Sequence, residues 1–515
     1  MTITAKTFHL AIILIACFGI VQFAISETVV TTGSELKFID CHYPYPLKKK
    51  IRCAQLITDA KFGQFSLPVV ILKAKNNRKK EAIIYIPGGP GEGFQVTKES
   101  IEYWLEWMDE ANLSRDLVLF DPRGVGESQP SWQCEQYDFI SRQILAEDLA
   151  IELELKKTNP VLNQCLNDFN LWVNNNVKVT GNIHPGLSIY SSYNQARDIS
   201  DLVEKLDYRA VHLWGISYGT RVAMLAAHSP KIKTIILDSP YLLNKGKIIE
   251  WPFLLNQALQ FHNKIYSQLY AKVGRHSDFF SLWSSVVSKL DSQSQSFTMQ
   301  NQVEDNKSYP LVITSDRLAS IMYFILYDVS LWYPFYEALE YLESPEQNHK
   351  IQENLEKFES WELILQSFIE WNFDEQFNSI IFYTVECLDN PLSDQSDFEL
   401  ELKKYPAIAR FAQFDWQYDI CRQPLFKNRI PVENFKLVKK PTLILSGQFD
   451  PVTPLQWGQE LQQQLGSSGY YYGIPGASHG VTVNGICEAG VIEAFIKNPA
   501  SNLKKLCPDV NLIWP

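Results

Sequence analysis

A series of short apolar runs, each closing on glycine, proline, serine or aspartate, does most to restrict what this chain can become. They read AIIYIPGG (82–89), DLVLFDPRG (116–124), AVHLWGIS (210–217), TIILDSP (234–240) and PTLILSGQFD (441–450), with GYYYGIPGASHG (469–480) supplying a last strand. A run that is apolar at every position, rather than at alternate ones, suits a strand covered on both faces. Amphipathic helical spacing fills several of the gaps. In NQARDISDLVEKLDY (194–208), Ala196, Ile199, Leu202, Val203 and Leu206 share one face. Strands alternating with helices predict an α/β fold with a mainly parallel sheet.

The alternation breaks between about Leu242 and Phe435, a stretch rich in Trp, Phe, Leu, Gln and Glu. Helical spacing in YFILYDVSLWYPFYEALEYL (323–342) and IQENLEKFESWELILQSFIEWNF (351–373) predicts a mostly helical insertion there. It separates the strand ending near Asp238 from the one ending at Asp450. QSQSFTMQNQVEDNKS (293–308) reads as an exposed loop. The expected organisation is a signal peptide at 1–26, the N-terminal part of an α/β core at 27–241, a helical cap or lid at 242–435 and the C-terminal part of the core at 436–515.

With 46% hydrophobic and 20% charged residues, the 515-residue chain can fill a sizeable core. A net charge of −11 argues against a nucleic-acid partner. The N-terminus has a weakly basic start at Lys6, an apolar run from Leu10 to about Ala24, and small residues at Ala24 and Ser26, as a signal peptidase requires. Export, periplasmic or secreted, is the expectation. The alternatives are a buried or membrane-spanning helix and, since LIAC ends at Cys17, a lipid anchor on that cysteine. No later stretch is long and apolar enough to span a bilayer, so no stable membrane span is expected once the signal is removed.

Export changes what the cysteines mean. Of nine, removal of Cys17 leaves Cys41, Cys53, Cys134, Cys165, Cys387, Cys421, Cys487 and Cys507, an even set that suggests disulfides in an oxidising compartment. Sequence does not fix their connectivity. Sequential pairing is the simplest arrangement, because it closes loops of only about 10 to 35 residues at low entropic cost. Zinc is the runner-up reading, weakened by the lack of a Cys-x-x-Cys pair or a His cluster.

The chemistry converges on HLWGISYGT (212–220). Ser217 follows a strand-like run and precedes YGTRVAMLAAHSP, which reads as a helix, so Gly215-x-Ser217-x-Gly219 sits where a nucleophile elbow would. A serine hydroxyl needs a base, and the base needs an orienting acid. Asp450 ends the late run LILSGQFD, and His479 lies in the glycine-rich GIPGASHG. Ser217, Asp450 and His479 therefore occur in the chain order Ser…Asp…His. Asp238, also at a strand end, is the rival acid. His212 lies inside the elbow strand and His228 at the end of the following helix, while His42, His184, His262, His276 and His349 lack such context. The oxyanion formed on attack needs N–H donors. The amide of Tyr218 should be one, and PGGPGEG (87–93), with Gly89 foremost, should supply the other. A phosphate-cradling role for that loop fits less well, since no Gly-Lys-Ser/Thr and no Rossmann spacing follows.

Taken together, PGGPGEG, DPRGVGES, GISYGT, GQFDPVTP and SHG resemble the successive signatures of the proline iminopeptidase and tripeptidyl aminopeptidase family of α/β-hydrolases. The resemblance extends from about Cys41 to Cys507, more loosely across the insertion, and is nearest to the exported, cysteine-bearing tripeptidyl aminopeptidase type. One departure is Pro87, where many relatives carry His. The resemblance implies an α/β-hydrolase fold with a large helical cap and a serine aminopeptidase acting on short peptides at the free N-terminus through an acyl-enzyme. It implies no cofactor and no metal. An exopeptidase of this kind needs an anion for the substrate ammonium. YTVECLDNP (383–391) offers Glu386 first and Asp389 second; a solvent-facing acidic turn is the other reading. Arg123 and Asp121 in DPRGVGES are expected to brace loops. The alternatives are a carboxylesterase or other small-molecule acyl hydrolase with the same triad and, more remotely, a non-catalytic binding protein on a hydrolase fold.

Overall fold

The computed structural model describes residues 33–508 apart from 44–46, 78–79, 95–96, 182–185, 247, 271–277, 302–306, 344–350, 373–375, 391, 393, 413–419, 428, 433–434, 485–486 and 489. The expected signal segment 1–26 and Cys17 lie outside the described residues, as do His184, His276 and His349.

Among the described residues, nine strands form one sheet in the order β1-β2-β3-β5-β4-β6-β7-β10-β11. Three N-terminal strands, β1 (Glu35–Ile39), β2 (Ile51–Ile57) and β3 (Ser66–Leu72), build an antiparallel edge that joins β5 (Asp116–Phe120). The rest is parallel: β5, β4 (Glu81–Ile86), β6 (Ala210–Ile216), β7 (Ile232–Asp238), β10 (Thr442–Gly447) and β11 (Gly469–Ile474). Each run read as a parallel strand is one. The antiparallel edge was not anticipated; β1 is mostly exposed and lacks the apolar signal of the interior strands.

Side chains along a strand alternate between faces, and the two faces have separate cores. Ile84 and Ile86 pack beneath α3 (Ile151–Asn176), α4 (Ser192–Lys205) and α5 (Tyr218–Ala226). Ile83 and Tyr85 pack with α1 (Lys98–Glu110) on the other face. The apolar face read over 194–208 belongs to α4, with Ile199, Leu202 and Val203 fully buried. A helical excursion of α2 (Glu135–Gln143) and α3 lies between β5 and α4 and was not anticipated.

The stretch between β7 and β10 is mainly helical: α6 (Trp251–Tyr270), α7 (Phe279–Ser292), α8 (Ser315–Ile325), α9 (Trp332–Glu343), α10 (Ile351–Asn372), α11 (Ser379–Asp389), α12 (Gln395–Leu402) and α13 (Ala409–Ala412). The continuous helical pattern over 323–342 is broken between α8 and α9 by a short 3-10 turn capped by Asp328. The expected loop at 293–308 is corrected. Its ends form β8 (Gln295–Asn301) and, with the following residues, β9 (Lys307–Ile313), an antiparallel hairpin. Met299, Leu311 and Ile313 of this hairpin are buried against the helices, and that tertiary packing overrides a polar local sequence. After β10 come α14 (Leu455–Leu465), β11 and α15 (Val491–Lys497).

Four disulfides join Cys41–Cys53, Cys134–Cys165, Cys387–Cys421 and Cys487–Cys507, the sequential pairing. Among the described residues no helix is long and apolar enough to cross a membrane.

Candidate active site

The site begins where β6 stops. Ser217 follows the buried strand with φ +53° and ψ −123°, a conformation L residues rarely adopt and one that costs about 1–3 kcal/mol. Helix α5 starts at the next residue. A Cβ on Gly215 would lie 2.4 Å from the carbonyl oxygen of Gly219, and one on Gly219 would lie 2.2 Å from that of Ile86. Both positions exclude any side chain, so the sharp reversal that lifts Ser217 off the strand exists only with this glycine pair. The amide of Tyr218 opens α5, where no preceding turn of helix supplies an acceptor.

Two later strands bring the other groups. Asp450 follows β10 and is buried; His479 follows β11 and is 8% exposed. His479 Nδ1 is 2.8 Å from Asp450 Oδ2. The carboxylate also accepts from the amides of Val452 (3.0 Å) and Thr453 (2.8 Å) and from Thr453 Oγ1 (2.7 Å). Burial disfavours its charge, but His479 and these donors together hold its pKa below the usual carboxylate value. Burial likewise disfavours charge on His479, and Asp450, then Asp238 and Glu92, outweigh it to raise the imidazole pKa. The pairing on Nδ1 leaves Nε2 as the nitrogen turned away from the acid.

The rival acid Asp238 has a different task. Its backbone carbonyl accepts from the Ser217 amide (2.9 Å), and its carboxylate accepts from the amides of Val481 (3.0 Å) and Thr482 (2.7 Å), just past His479. Neighbouring Ser239 Oγ accepts from the Gly480 amide at 2.8 Å. One strand end thus fastens the serine turn and the histidine loop to each other. Sequence reasoning missed this role, because an aspartate ending a strand looks the same whether it faces an imidazole or caps a loop.

The glycine-rich loop lies over the elbow. A Cβ on Gly88 would stand 3.5 Å from Ser217 Cβ, while Gly89 adopts φ +95° beside the amides of Gly91 and Glu92. Asp121 Oδ1 accepts from the Phe94 amide (2.6 Å) and Oδ2 from that of Glu127 (2.9 Å). Arg123 makes a two-pronged pair with Asp198 (2.6 and 2.5 Å) and donates to the carbonyls of Phe62 and Ile189, both at 2.8 Å. Both residues therefore hold loops in place.

Glu386 and Asp389, at the end of α11, are interior. Asp389 accepts from Ser192 N (3.2 Å) and from Ser192 Oγ, which also meets Tyr218 Oη at 2.6 Å. Glu386 Oε2 accepts from Tyr241 Oη (3.0 Å) and Asn390 Nδ2 (2.7 Å), and its buried Oε1 has no hydrogen-bond partner among the described residues. Burial, partly offset by Arg221, pushes Glu386 up to about 7 and Asp389 up to about 6. A solvent-facing acidic turn is thereby ruled out for both.

The insertion reaches this centre directly. The Tyr327 ring packs edge-on to the His479 imidazole at 5.3 Å, Ser478 Oγ donates to the Leu326 carbonyl, and Tyr323 Oη donates to that of Pro451 at 3.2 Å. A cavity of about 490 Å³ opens alongside, lined by Phe324, Tyr327, Ser367 and Asn484 among others. Asn484 in turn donates to the His479 carbonyl at 2.7 Å.

An elbow serine between a parallel strand and a helix, with an Asp–His pair on the loops after the two strands at one edge of the sheet, is the layout of an α/β-hydrolase. Residues 81–290 match the family described as alpha/beta hydrolase fold, and residues 409–505 match that described as TAP-like protein. The fold is that of an α/β-hydrolase, and the C-terminal part of the chain is similar to TAP-like proteins. It is 28% identical over 185 residues to the putative hydrolase YuaR of Escherichia coli, a match covering 35% of this chain and 32% of that protein. It is 23% identical over 219 residues to a tripeptidyl aminopeptidase of Streptomyces lividans, covering 41% of this chain and 39% of the other. These matches thus span about a third to two-fifths of the relatives' lengths. Among solved structures, the proline iminopeptidase of Mycobacterium smegmatis aligns at a TM-score of 0.30 and 11% identity, over 82% of this chain and 91% of that one.

Proposed function

We propose that this hydrolase is an exported serine aminopeptidase that cleaves short peptides from the free N-terminus. Ser217 Oγ attacks the acyl carbon, and His479 Nε2 takes its proton. Asp450 holds the ring through Nδ1 and stabilises the imidazolium. The amides of Tyr218 and Gly89 receive the oxyanion. His479 returns the proton to the leaving amine, then activates water to release the acyl group from Ser217. Asp238 is a positioning residue for both partners. The observation that carries this reading is the 2.8 Å Asp450–His479 pair, tied to the elbow serine through Asp238.

The peptidase assignment draws on the tripeptidyl aminopeptidase relatives, and export on the four disulfides together with the N-terminal sequence. A carboxylesterase with the same triad is the competing reading. The test pairs fluorophosphonate labelling with peptide digestion followed by mass spectrometry. Wild-type protein should be labelled at Ser217 and should shorten free-amine peptides far faster than N-acetylated ones, and Ser217→Ala should do neither. Equal rates on the two peptide forms would overturn the aminopeptidase reading in favour of an acyl hydrolase indifferent to the amine.

A further inference from the structure

An aminopeptidase must hold an ammonium group at a set distance from its nucleophile, and the two carboxylates expected for this task sit in an interior network with Ser192, Tyr241 and Asn390. A third carboxylate stands beside the elbow. Glu92 is exposed, on the glycine-rich loop over the elbow. The position a Cβ would take on Gly88 is 2.9 Å from Glu92 Oε2 and 3.5 Å from Ser217 Cβ, so the carboxylate and the serine side chain border the same small space beside Gly88. Its charge is felt at His479, where it is one of the influences that raise the imidazole pKa. The backbone beneath it is fixed: Glu92 pairs with Phe377 in an antiparallel bridge, and the Asn378 amide donates to the Gly91 carbonyl at 2.8 Å. Asn378 also caps α11 and donates through Nδ2 to the carbonyls of Gly124 (3.0 Å) and Trp132 (2.9 Å).

A carboxylate beside the nucleophile can accept a charge-assisted hydrogen bond from a substrate that carries a cation next to the attacked carbon. The α-ammonium of the residue being transferred is only two bonds from the attacked carbon, which matches the short separation between Glu92 and Ser217. An ammonium three residues away would need an anchor much further off.

We propose that Glu92 is the specificity residue that binds the α-ammonium of the residue whose carbonyl is attacked, so that this site releases single N-terminal residues. The inference rests on the aminopeptidase reading above. Its test measures kcat/KM of the full-length protein on alanine p-nitroanilide, trialanine p-nitroanilide, N-acetylalanine p-nitroanilide and p-nitrophenyl acetate, for wild type, Glu92→Gln, Glu92→Asp and Glu386→Gln. Glu92→Gln should lower the free alanine anilide by roughly tenfold to a hundredfold, the scale of one charge-assisted contact, and leave the acetate ester equal or faster. Glu92→Asp should recover part of the loss. An equal fall on every substrate would show a merely structural loop residue and overturn the proposal. So would a wild-type enzyme active on the trialanine but not the alanine anilide, or a loss of amine preference in Glu386→Gln with none in Glu92→Gln. Any of these leaves the aminopeptidase reading intact. A wild type that hydrolyses the ester and no free-amine substrate would end both.

Discussion

The sheet and the helical insertion bury their residues by different logic. Strands β4, β6 and β10 are buried at every position, and the turns that follow them are set by backbone contacts so close that only glycine fits. The insertion encloses a core of its own, built from large rings such as Trp332, Phe335, Tyr336 and Trp361. The two meet through α11, which packs into the sheet-side core, and around the loop after β10. Phe449, the neighbour of Asp450, is 1% exposed and belongs to the insertion's core, where its ring meets Trp332 and Phe261 at 5.4 Å each. Another link is the buried pair of Arg317 on α8 and Glu154 on α3. The contrast teaches that the sheet fixes where the reacting groups stand, while the helices grip the acid-bearing loop from above.

The sharpest way to test this division is to alter the acid without touching the insertion. Asp450→Asn should lower kcat by about 10⁴-fold with little change in overall folding. The pH profile separates loss of orientation from loss of structure. A protonated His479 cannot accept a proton, and its pKa lies above the ordinary 6.5, so the acid limb of wild-type kcat/KM should fall above pH 6.5. In Asp450→Asn, without the carboxylate charge, that limb should move to lower pH. An unmoved limb would mean that Asp450 does not govern the imidazole.

The junction itself is probed by Phe449→Ala, which should cost about 3–5 kcal/mol in stability. Activity should fall with it if the insertion holds the acid in place. Denaturant unfolding followed alongside ester hydrolysis checks both, and a stable variant with full activity would break the mechanical link drawn here. The smallest effect belongs to Glu386, whose pKa is pushed up to about 7 from 4.5. Between those values the folded protein keeps a proton that the unfolded chain releases, so stability should decline as pH rises through this window and then level off. Glu386→Gln should flatten that decline, by on the order of 1 kcal/mol, read from urea midpoints across pH. A wild type whose stability rises over the same window would reverse the sign and refute the assignment.

What was legible in the sequence follows the same division. Continuous apolar runs announce strands covered on both faces, and the paired glycines around Ser217 announce a turn with no room for side chains, so the sheet and the order of Ser217, Asp450 and His479 could be read directly. The sequential disulfides were also accessible, through loop length. The β8–β9 hairpin was not, because a polar stretch with a few scattered apolar residues becomes a strand pair only once helices cover it. Sequence ranks Asp450 above Asp238 but does not reveal what Asp238 does. Both end apolar runs, and only the packing of the loop after β11 decides which carboxylate meets a ring nitrogen and which meets backbone amides. Glu92 carried no local signal at all, since its proximity to Ser217 is created by the folding of the loop over the elbow.

The sheet order also has a temporal side. The proposed nucleophile stands on β6, whereas the acid and base arrive on β10 and β11, the two strands added at one edge after the whole insertion has been made. A nascent chain released or halted anywhere before residue 450 carries the serine with neither partner. On the proposed mechanism such fragments are inactive, and hydrolytic competence appears only when the final strands join the sheet.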